Sequence, residues 1–156
     1  MALPPFQVLI DEHAEAVHRF LVATAGPGAA DDCFQETFIS ALRAYPRLRP
    51  DSNLQAWLFT IARNKATDHH RSVRRAPLPV AELPERAAAG ATGPQLQDGD
   101  LWAAVRALPE KQRAAVVLRF VSDLSHREIG RVLDCSDAAA RRSVHEGLKR
   151  LREMSA

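Results

Sequence analysis

The sequence predicts an all-α protein of two small helical domains joined by a flexible linker. Two observations favour helices: Ala, Leu and Arg are abundant, and aromatic residues make up only 6% of the chain, with short β-branched runs. A third observation divides the chain, because residues 76–99 contain four prolines and few strongly apolar residues. We therefore assign residues 1–75 to the first domain, 76–99 to the linker and 100–156 to the second domain.

The first domain is predicted to contain three helices, because its apolar residues recur at helical spacing. The first helix covers Phe6 to about Thr24, and the second covers about Ala30 to Tyr45. Ser52 and Gln55 have the spacing of a capping box, which would open a third helix that runs to about Arg75. The buried side of the second helix is predicted to carry Phe34, Phe38, Ala41 and Leu42.

The second domain ends in two short helices with helix-turn-helix spacing. A capping box at Ser125 and Glu128 opens the first of them, and Ser136 is placed to cap the second. Val144, Leu148 and Leu151 would pack inward, so the opposite face of the last helix would enter a DNA major groove. The candidate DNA-contacting residues are Ser136, Asp137, Ala138, Arg141, Arg142, His145 and Lys149. A solvated, Arg-rich face on a helical hairpin is the alternative interpretation.

A second basic cluster lies on the third helix, after the aromatic residues Trp57 and Phe59. An aromatic ring beside cations suits single-stranded or partly melted DNA, because bases stack on the ring while the cations follow the backbone. The alternative is structural: Trp57 belongs to the core, and the cations form a solvated helix end. The cluster consists of Arg63, Lys65, Arg71, Arg74 and Arg75.

Other classes of function find little support in the sequence. Asp68, His69 and His70 are adjacent and project in different directions on a helix, so we predict no metal site, and we expect no cofactor and no catalysis. Cys33 and Cys135 have no zinc-ligand spacing. No apolar run approaches the roughly 20 residues of a membrane span, and the N-terminus lacks a signal-peptide pattern. We expect a cytoplasmic protein.

Three segments resemble bacterial sigma factors of the sigma-70 family. Residues 31–38 (DDCFQETF) and residues 57–64 (WLFTIARN), with Asp68 and Arg71, resemble signatures of sigma region 2. Residues 108–113 (LPEKQR), followed by Leu124-Ser125, Glu128-Ile129 and Cys135-Ser136, resemble region 4. No other sigma region is recognisable, which places the resemblance with the extracytoplasmic-function group.

The resemblance implies a non-catalytic subunit that binds core RNA polymerase and directs it to promoters. The candidate residues on the last helix would then read the minus-thirty-five element. Region 2 would dock on the β′ clamp coiled coil through Asp32, Gln35, Glu36 and Phe38. The third helix would contact the minus-ten element and help to melt it, through Trp57, Arg63, Asn64, Asp68, Arg71, Arg74 and Arg75.

The resemblance also implies further partners: the β flap of the polymerase, promoter DNA and an anti-sigma factor. One segment departs from the family pattern, because residues 139–146 (AARRSVHE) stand where relatives often have T-V-K-S-R-L-x-R. Glu146 could accept a hydrogen bond from cytosine or repel phosphate. Two rival interpretations stay open: a helix-turn-helix regulator that acts without polymerase, and a sigma-like protein that has lost promoter recognition.

Overall fold

The computed structural model describes residues 3–75 and 96–155, and within these ranges the chain contains helices and no strands. The predicted all-α class is confirmed. Residues 76–95, which include most of the predicted linker, lie outside the described part. The helices are α1 Phe6–Ala25, α2 Pro27–Ala44, α3 Leu54–Arg75, α4 Leu96–Arg106, α5 Glu110–Phe120, α6 His126–Leu133 and α7 Asp137–Ser155, with a short 3-10 turn at Tyr45–Arg47.

A single residue, Gly26, separates α1 from α2. Its φ of 95° lies in the left-handed region, which glycine adopts without steric cost. Pro27 follows at the first position of α2, where its fixed φ suits a helix and its missing N–H leaves no bond unmade. The chain therefore reverses within one residue, and α2 begins three residues earlier than the predicted Ala30.

The α1–α3 bundle closes around large apolar side chains. The Phe20 ring of α1 meets the Phe59 ring of α3 edge-to-face, with ring centroids 5.5 Å apart. Leu9, Leu21 and Leu58 are also fully buried. Each such side chain contributes about 1.5–3 kcal/mol through removal from water, so the three helices are held together mainly by this core.

The predicted buried side of α2 is wrong at Leu42, whose side chain is 55% exposed. The buried stripe of α2 is formed by Ala30, Cys33, Thr37 and Ala41, which follow one another at intervals of three and four residues. Leu42 is one residue, or about 100°, away from that stripe and points to solvent. Ala41 is buried as predicted, and Phe34 and Phe38 are half-buried.

The cap of α3 also differs from the prediction. Asn53, and not Ser52, precedes the helix, and its Oδ1 accepts a hydrogen bond from the Ala56 N–H at 3.0 Å. The Asn53 carbonyl accepts the bond from Trp57 N. Ser and Asn are both good capping residues, so local sequence did not distinguish them.

We expect Asn53→Ala to lower the free energy of unfolding by about 1 kcal/mol, because it removes the oxygen that caps α3. Ser52→Ala is the matched control and should change that free energy by less than about 0.5 kcal/mol. Urea unfolding followed by circular dichroism measures both. An equal loss in the two variants, or a larger loss for Ser52→Ala, would contradict the observed cap.

The second half of the chain contains the predicted helix-turn-helix. The capping box of α6 is confirmed: Ser125 Oγ accepts from Glu128 N at 3.1 Å, and Glu128 Oε1 accepts from Ser125 N at 2.9 Å. Ser136 caps α7 by accepting from Ala139 N at 3.0 Å. Helix α4 begins at Leu96, within the predicted linker and shortly after its last proline, Pro94.

The helices of the two halves pack against each other, chiefly α3 against α6 and α1 against α5. The buried apolar residues of both halves form one continuous cluster that extends from Leu9 to Leu151. The division at residues 75 and 100 stays a prediction about domains. The structure adds that these two regions share an interface.

Candidate nucleic-acid interface

Helix α7 presents one face to solvent and the other to the protein core. Val144 and Leu151 are buried and Leu148 is half-buried, as predicted. The turn before α7 is tight, because Asp134 adopts a left-handed conformation with φ of 58°. All seven candidate residues on or next to α7 are exposed: Ser136, Asp137, Ala138, Arg141, Arg142, His145 and Lys149.

Two glycines that the sequence analysis did not single out let the helix-turn-helix pack closely. A Cβ at Gly130 would lie 2.7 Å from the Cys135 carbonyl oxygen, in the turn between α6 and α7. A Cβ at Gly147 would lie 2.5 Å from Val116 Cγ2 of α5. Glycine in the interior of a helix lowers helix stability, so it is expected there mainly where packing leaves no room for a side chain. A glycine within a predicted helix is therefore the sequence signal that could have identified both positions.

Cationic side chains from α5 and α7 lie near His126, at the start of α6. The pKa of His126, at the start of α6, is lowered by burial and then by the positive charges of Arg141 and Arg119, while Asp137 acts in the opposite direction. Arg119 of α5, His126 of α6 and Arg141 of α7 therefore lie near one another. Such a cluster suits the phosphate backbone of DNA, which positions a protein on the duplex without reading bases.

Most predicted minus-ten residues lie along one stripe of α3. This stripe consists of Trp57, Asn64, Asp68 and Arg71. The intervals between them are seven, four and three residues, which keeps side chains on one face of a helix. Asn64, Asp68, Arg71 and Arg74 are exposed. The side chain of Arg75 lies outside the described residues.

Two members of this set are less accessible. Trp57 is half-buried, and its ring centroid lies 6.2 Å from that of Tyr45. Arg63 is half-buried on the neighbouring stripe of α3, where it faces α5, and its Nε is buried with no hydrogen-bond partner among the described residues. The structure thus brings Asn64, Asp68 and Arg71 together on an open face and turns Arg63 towards the second half of the chain.

The predicted polymerase-binding residues lie on the outer side of α2. Asp32, Gln35 and Glu36 are exposed, and Phe38 is half-buried with its ring centroid 4.9 Å from that of Phe34. Sequence reasoning missed two neighbours on the same side, Ile39 and Leu42, whose side chains are 48% and 55% exposed. These two side chains lie three residues apart on the helix, so they form a small exposed apolar patch beside the polar residues.

The adjacent histidines of α3 have separate surroundings. His70 Nε2 donates to the Thr24 carbonyl oxygen at 2.7 Å, which connects α3 to the end of α1. Burial and then His70 lower the pKa of His69, while the carboxylates Asp32 and Glu36 of α2 raise it. Within residues 3–75 and 96–155, no group of three His, Cys, Asp or Glu side chains is arranged to hold a metal ion.

The two cysteines differ in accessibility. Cys33 is buried, and burial, followed by the charges of Glu36 and Asp32, raises the pKa of its thiol. Cys135 is half-buried in the turn before α7. Since the thiolate is the reactive form, we expect iodoacetamide at pH 8 to modify Cys135 at least about tenfold faster than Cys33. Peptide mass spectrometry measures the two rates, and comparable rates in the folded protein would contradict the buried position of Cys33.

Comparisons with known proteins agree with this arrangement of two regions. The family model described as Sigma-70 region 2 matches residues 9–76, and the model described as Sigma-70, region 4 matches residues 98–151. The chain is 36% identical over 154 residues to RNA polymerase sigma factor CarQ of Myxococcus xanthus. This alignment covers 96% of this chain and 88% of CarQ. The chain belongs to the sigma-70 family, in its extracytoplasmic-function group.

Two further similarities support the assignment. This sigma factor is 32% identical over 149 residues to the ECF RNA polymerase sigma factor SigC of Mycobacterium tuberculosis, an alignment that covers 88% of this chain and 76% of SigC. It superposes on CnrH, solved in complex with the cytosolic domain of CnrY, with a TM-score of 0.75 and 25% identity over 96% of this chain and 86% of CnrH. Regions 2 and 4 serve promoter recognition and transcription initiation, which is the function of this sigma factor.

Membership of the family excludes one of the two rival interpretations that the sequence left open. A helix-turn-helix regulator that acts without polymerase would not carry region 2 over residues 9–76.

None of the described helices has both the length and the apolar character needed to cross a membrane.

Proposed function

We propose that this sigma factor uses α7 to read the minus-thirty-five element and α3 to engage the minus-ten element as it melts. The observation that carries the proposal is the exposure of all seven candidate residues on or next to α7, opposite the buried Val144 and Leu151. Arg141 and Arg142 lie near the start of this helix, where a recognition helix meets base edges. Arg is well suited to the O6 and N7 acceptors of guanine.

The minus-ten assignment rests on the open stripe of α3. Asn64 and Asp68 offer hydrogen-bonding groups, and Arg71 and Arg74 extend the same surface with positive charge. Melting costs about 1.4 kcal/mol per base-pair step, which contacts to the freed strand must offset together with the polymerase. Cations that follow the backbone and a partly accessible Trp57 ring supply contacts of this kind.

The outer side of α2 is the proposed docking surface for the β′ clamp coiled coil. Asp32, Gln35 and Glu36 supply exposed polar groups, and the exposed Ile39 and Leu42 supply apolar area beside them. A core of apolar residues with a polar rim is the usual composition of a protein interface. The resemblance of region 4 to the same region of other sigma factors is the basis for proposing that it contacts the β flap of the polymerase.

The remaining proposals concern the cellular setting. The sigma factor acts in the cytoplasm, on polymerase associated with the nucleoid, and has no catalytic activity of its own. It requires no cofactor. CnrH, which it resembles in fold, was solved with the cytosolic domain of CnrY, and we propose that an anti-sigma factor likewise binds this chain.

The minus-ten assignment predicts a defect in melting. Arg71→Ala/Arg74→Ala should lower promoter opening by about tenfold at saturating polymerase, because two contacts to the strand backbone are lost. The measurement is the fluorescence of 2-aminopurine placed in the minus-ten element of a promoter that the holoenzyme uses.

The control removes two other exposed cations of region 2, Arg43→Ala/Arg47→Ala, and changes the net charge by the same amount. This variant should open the promoter within about twofold of wild type. Equal defects in the two variants would show a general charge effect and would overturn the assignment of α3.

A further inference from the structure

Glu146 is an acidic side chain in the middle of α7, among exposed cations. Its own side chain is exposed, and so are those of its basic neighbours Arg141, Arg142, Lys149 and Arg150. The sequence departs at this position from the pattern of relatives, which often have an arginine there. Two roles are open for the acid: a hydrogen bond from cytosine, or repulsion of phosphate. The position of Glu146 on α7 favours the first.

The direction of the Glu146 side chain follows from the geometry of the helix. Each residue turns an α-helix by about 100°, so Glu146, two residues after the buried Val144, points about 160° away from it. Arg142, two residues before Val144, points about 160° away in the opposite sense, which leaves the two side chains about 40° apart. Glu146 therefore shares the solvent-facing side of α7 with Arg142, and it lies about 6 Å further along the helix axis.

Close packing of the next residue fixes this orientation. Gly147 is buried, and a Cβ there would lie 2.5 Å from Val116 Cγ2 and 3.4 Å from the Gln112 carbonyl oxygen, both on α5. At this point α7 lies directly against α5 and has no room to roll, so Glu146 projects from a rigid backbone. A polar group on a rigid element selects its partner by geometry, because its position is set before binding.

The carboxylate of Glu146 is available to a ligand. Within residues 3–75 and 96–155, Glu146 forms no ion pair with Arg142 or Arg150, its neighbours four residues away. An exposed ion pair at that spacing contributes little stability, so the fold does not depend on this acid. Its two oxygens stay free to accept hydrogen bonds on the proposed reading face of α7.

The base edges in the major groove offer a carboxylate unequal partners. An ionised carboxylate only accepts hydrogen bonds. Guanine presents acceptors, and thymine presents an acceptor and a methyl group, so neither pairs with it. Adenine has its N6 donor beside the N7 acceptor, which repels the second carboxylate oxygen, whereas cytosine has its N4 donor with no adjacent acceptor on the same base. Cytosine is therefore the best partner for Glu146.

We propose that Glu146 is a specificity-determining residue, which accepts a hydrogen bond from the N4 amino group of a cytosine in the minus-thirty-five element. The proposal rests on the proposed function of α7 and adds a base that this helix selects. Successive bases lie about 3.4 Å apart, so the cytosine is about two base pairs from the base that Arg142 contacts. The cations of α7 contact phosphates on either side and offset the repulsion between the carboxylate and the DNA backbone.

The test measures base preference with the complete holoenzyme. Each position of the minus-thirty-five element of a promoter that the holoenzyme uses is varied to all four bases, and start-site counts give the relative rates. We expect the wild type to prefer cytosine about tenfold at one position. Glu146→Ala should lose this preference and keep those at the other positions. Glu146→Gln should move the preference to adenine, because an amide donates to N7 and accepts from N6.

Glu153→Ala is the matched control, because Glu153 is also an exposed acid of α7 and its loss changes the net charge equally. It should leave every base preference unchanged. Faster transcription by Glu146→Ala from all sequences, with every base preference intact, would show that Glu146 only repels phosphate and would overturn the proposal. A preference for a base other than cytosine at the position that Glu146→Ala affects would overturn it too.

Failure of the proposed function gives a different result. If Arg141→Ala/Arg142→Ala also leaves every base preference unchanged, α7 does not read bases, and the proposed function fails together with the role of Glu146. If that variant loses discrimination while Glu146→Ala keeps it, α7 reads the element and only the role of Glu146 is rejected.

Discussion

Arg141→Ala/Arg142→Ala should lower promoter-specific transcription by about 100-fold, since a good contact from an arginine to a base is worth about 1–3 kcal/mol. Both side chains are exposed on the face of α7 opposite the buried Val144, so their loss should leave the fold intact. The measurement is the rate of run-off transcription by reconstituted holoenzyme on a promoter with both elements.

The control for this prediction is Arg150→Ala/Arg152→Ala, which removes two exposed cations from the same helix outside the proposed reading surface. It should weaken binding uniformly across sequences and cost no more than about tenfold. On a set of promoters with substituted minus-thirty-five bases, only the Arg141/Arg142 variant should lose discrimination. If the two variants behave alike, α7 contributes charge alone and does not read bases.

Ile39→Asp/Leu42→Asp should lower the affinity for core polymerase by about 100-fold. The reason is that the variant loses apolar area, worth about 1.5–3 kcal/mol for a fully buried aliphatic side chain, and places two carboxylates where water would be excluded. Both side chains are about half exposed in the free chain, so the substitution should cost little folding stability. Fluorescence anisotropy of labelled sigma factor titrated with core polymerase gives the dissociation constant.

Met154→Asp is the matched control, because Met154 is also an exposed apolar residue, 46% accessible, but lies at the end of α7. Its affinity for core polymerase should stay within about threefold of wild type. An unchanged affinity of the Ile39/Leu42 variant would place the docking surface elsewhere than on α2.

Local sequence signals correctly predicted those helix caps and buried faces that depend only on residues close together in the chain. The box formed by Ser125 and Glu128 and the cap at Ser136 each depend on residues three apart, and the structure contains both. The inward face of α7 follows from helical periodicity alone. The family resemblance added the assignment to sigma regions, which composition and spacing did not supply.

The errors arose where the outcome depends on packing between distant segments. Periodicity alone did not show that α2 has a narrow buried stripe, which leaves Leu42 exposed. Ser52 and Asn53 are both suitable caps, and the structure places Asn53 at the cap, where it also bonds to Glu128, 75 residues away. The same non-local contact lies in the interface that turns Arg63 away from the open face of α3.

The most direct test of the account is transcription from a genomic promoter library by purified bacterial core polymerase, with and without this protein. The account predicts specific start sites that arise only when the protein is added, with shared sequence upstream at both the minus-ten and the minus-thirty-five positions. Core polymerase that neither binds the protein nor gains any start site from it would contradict the central claim.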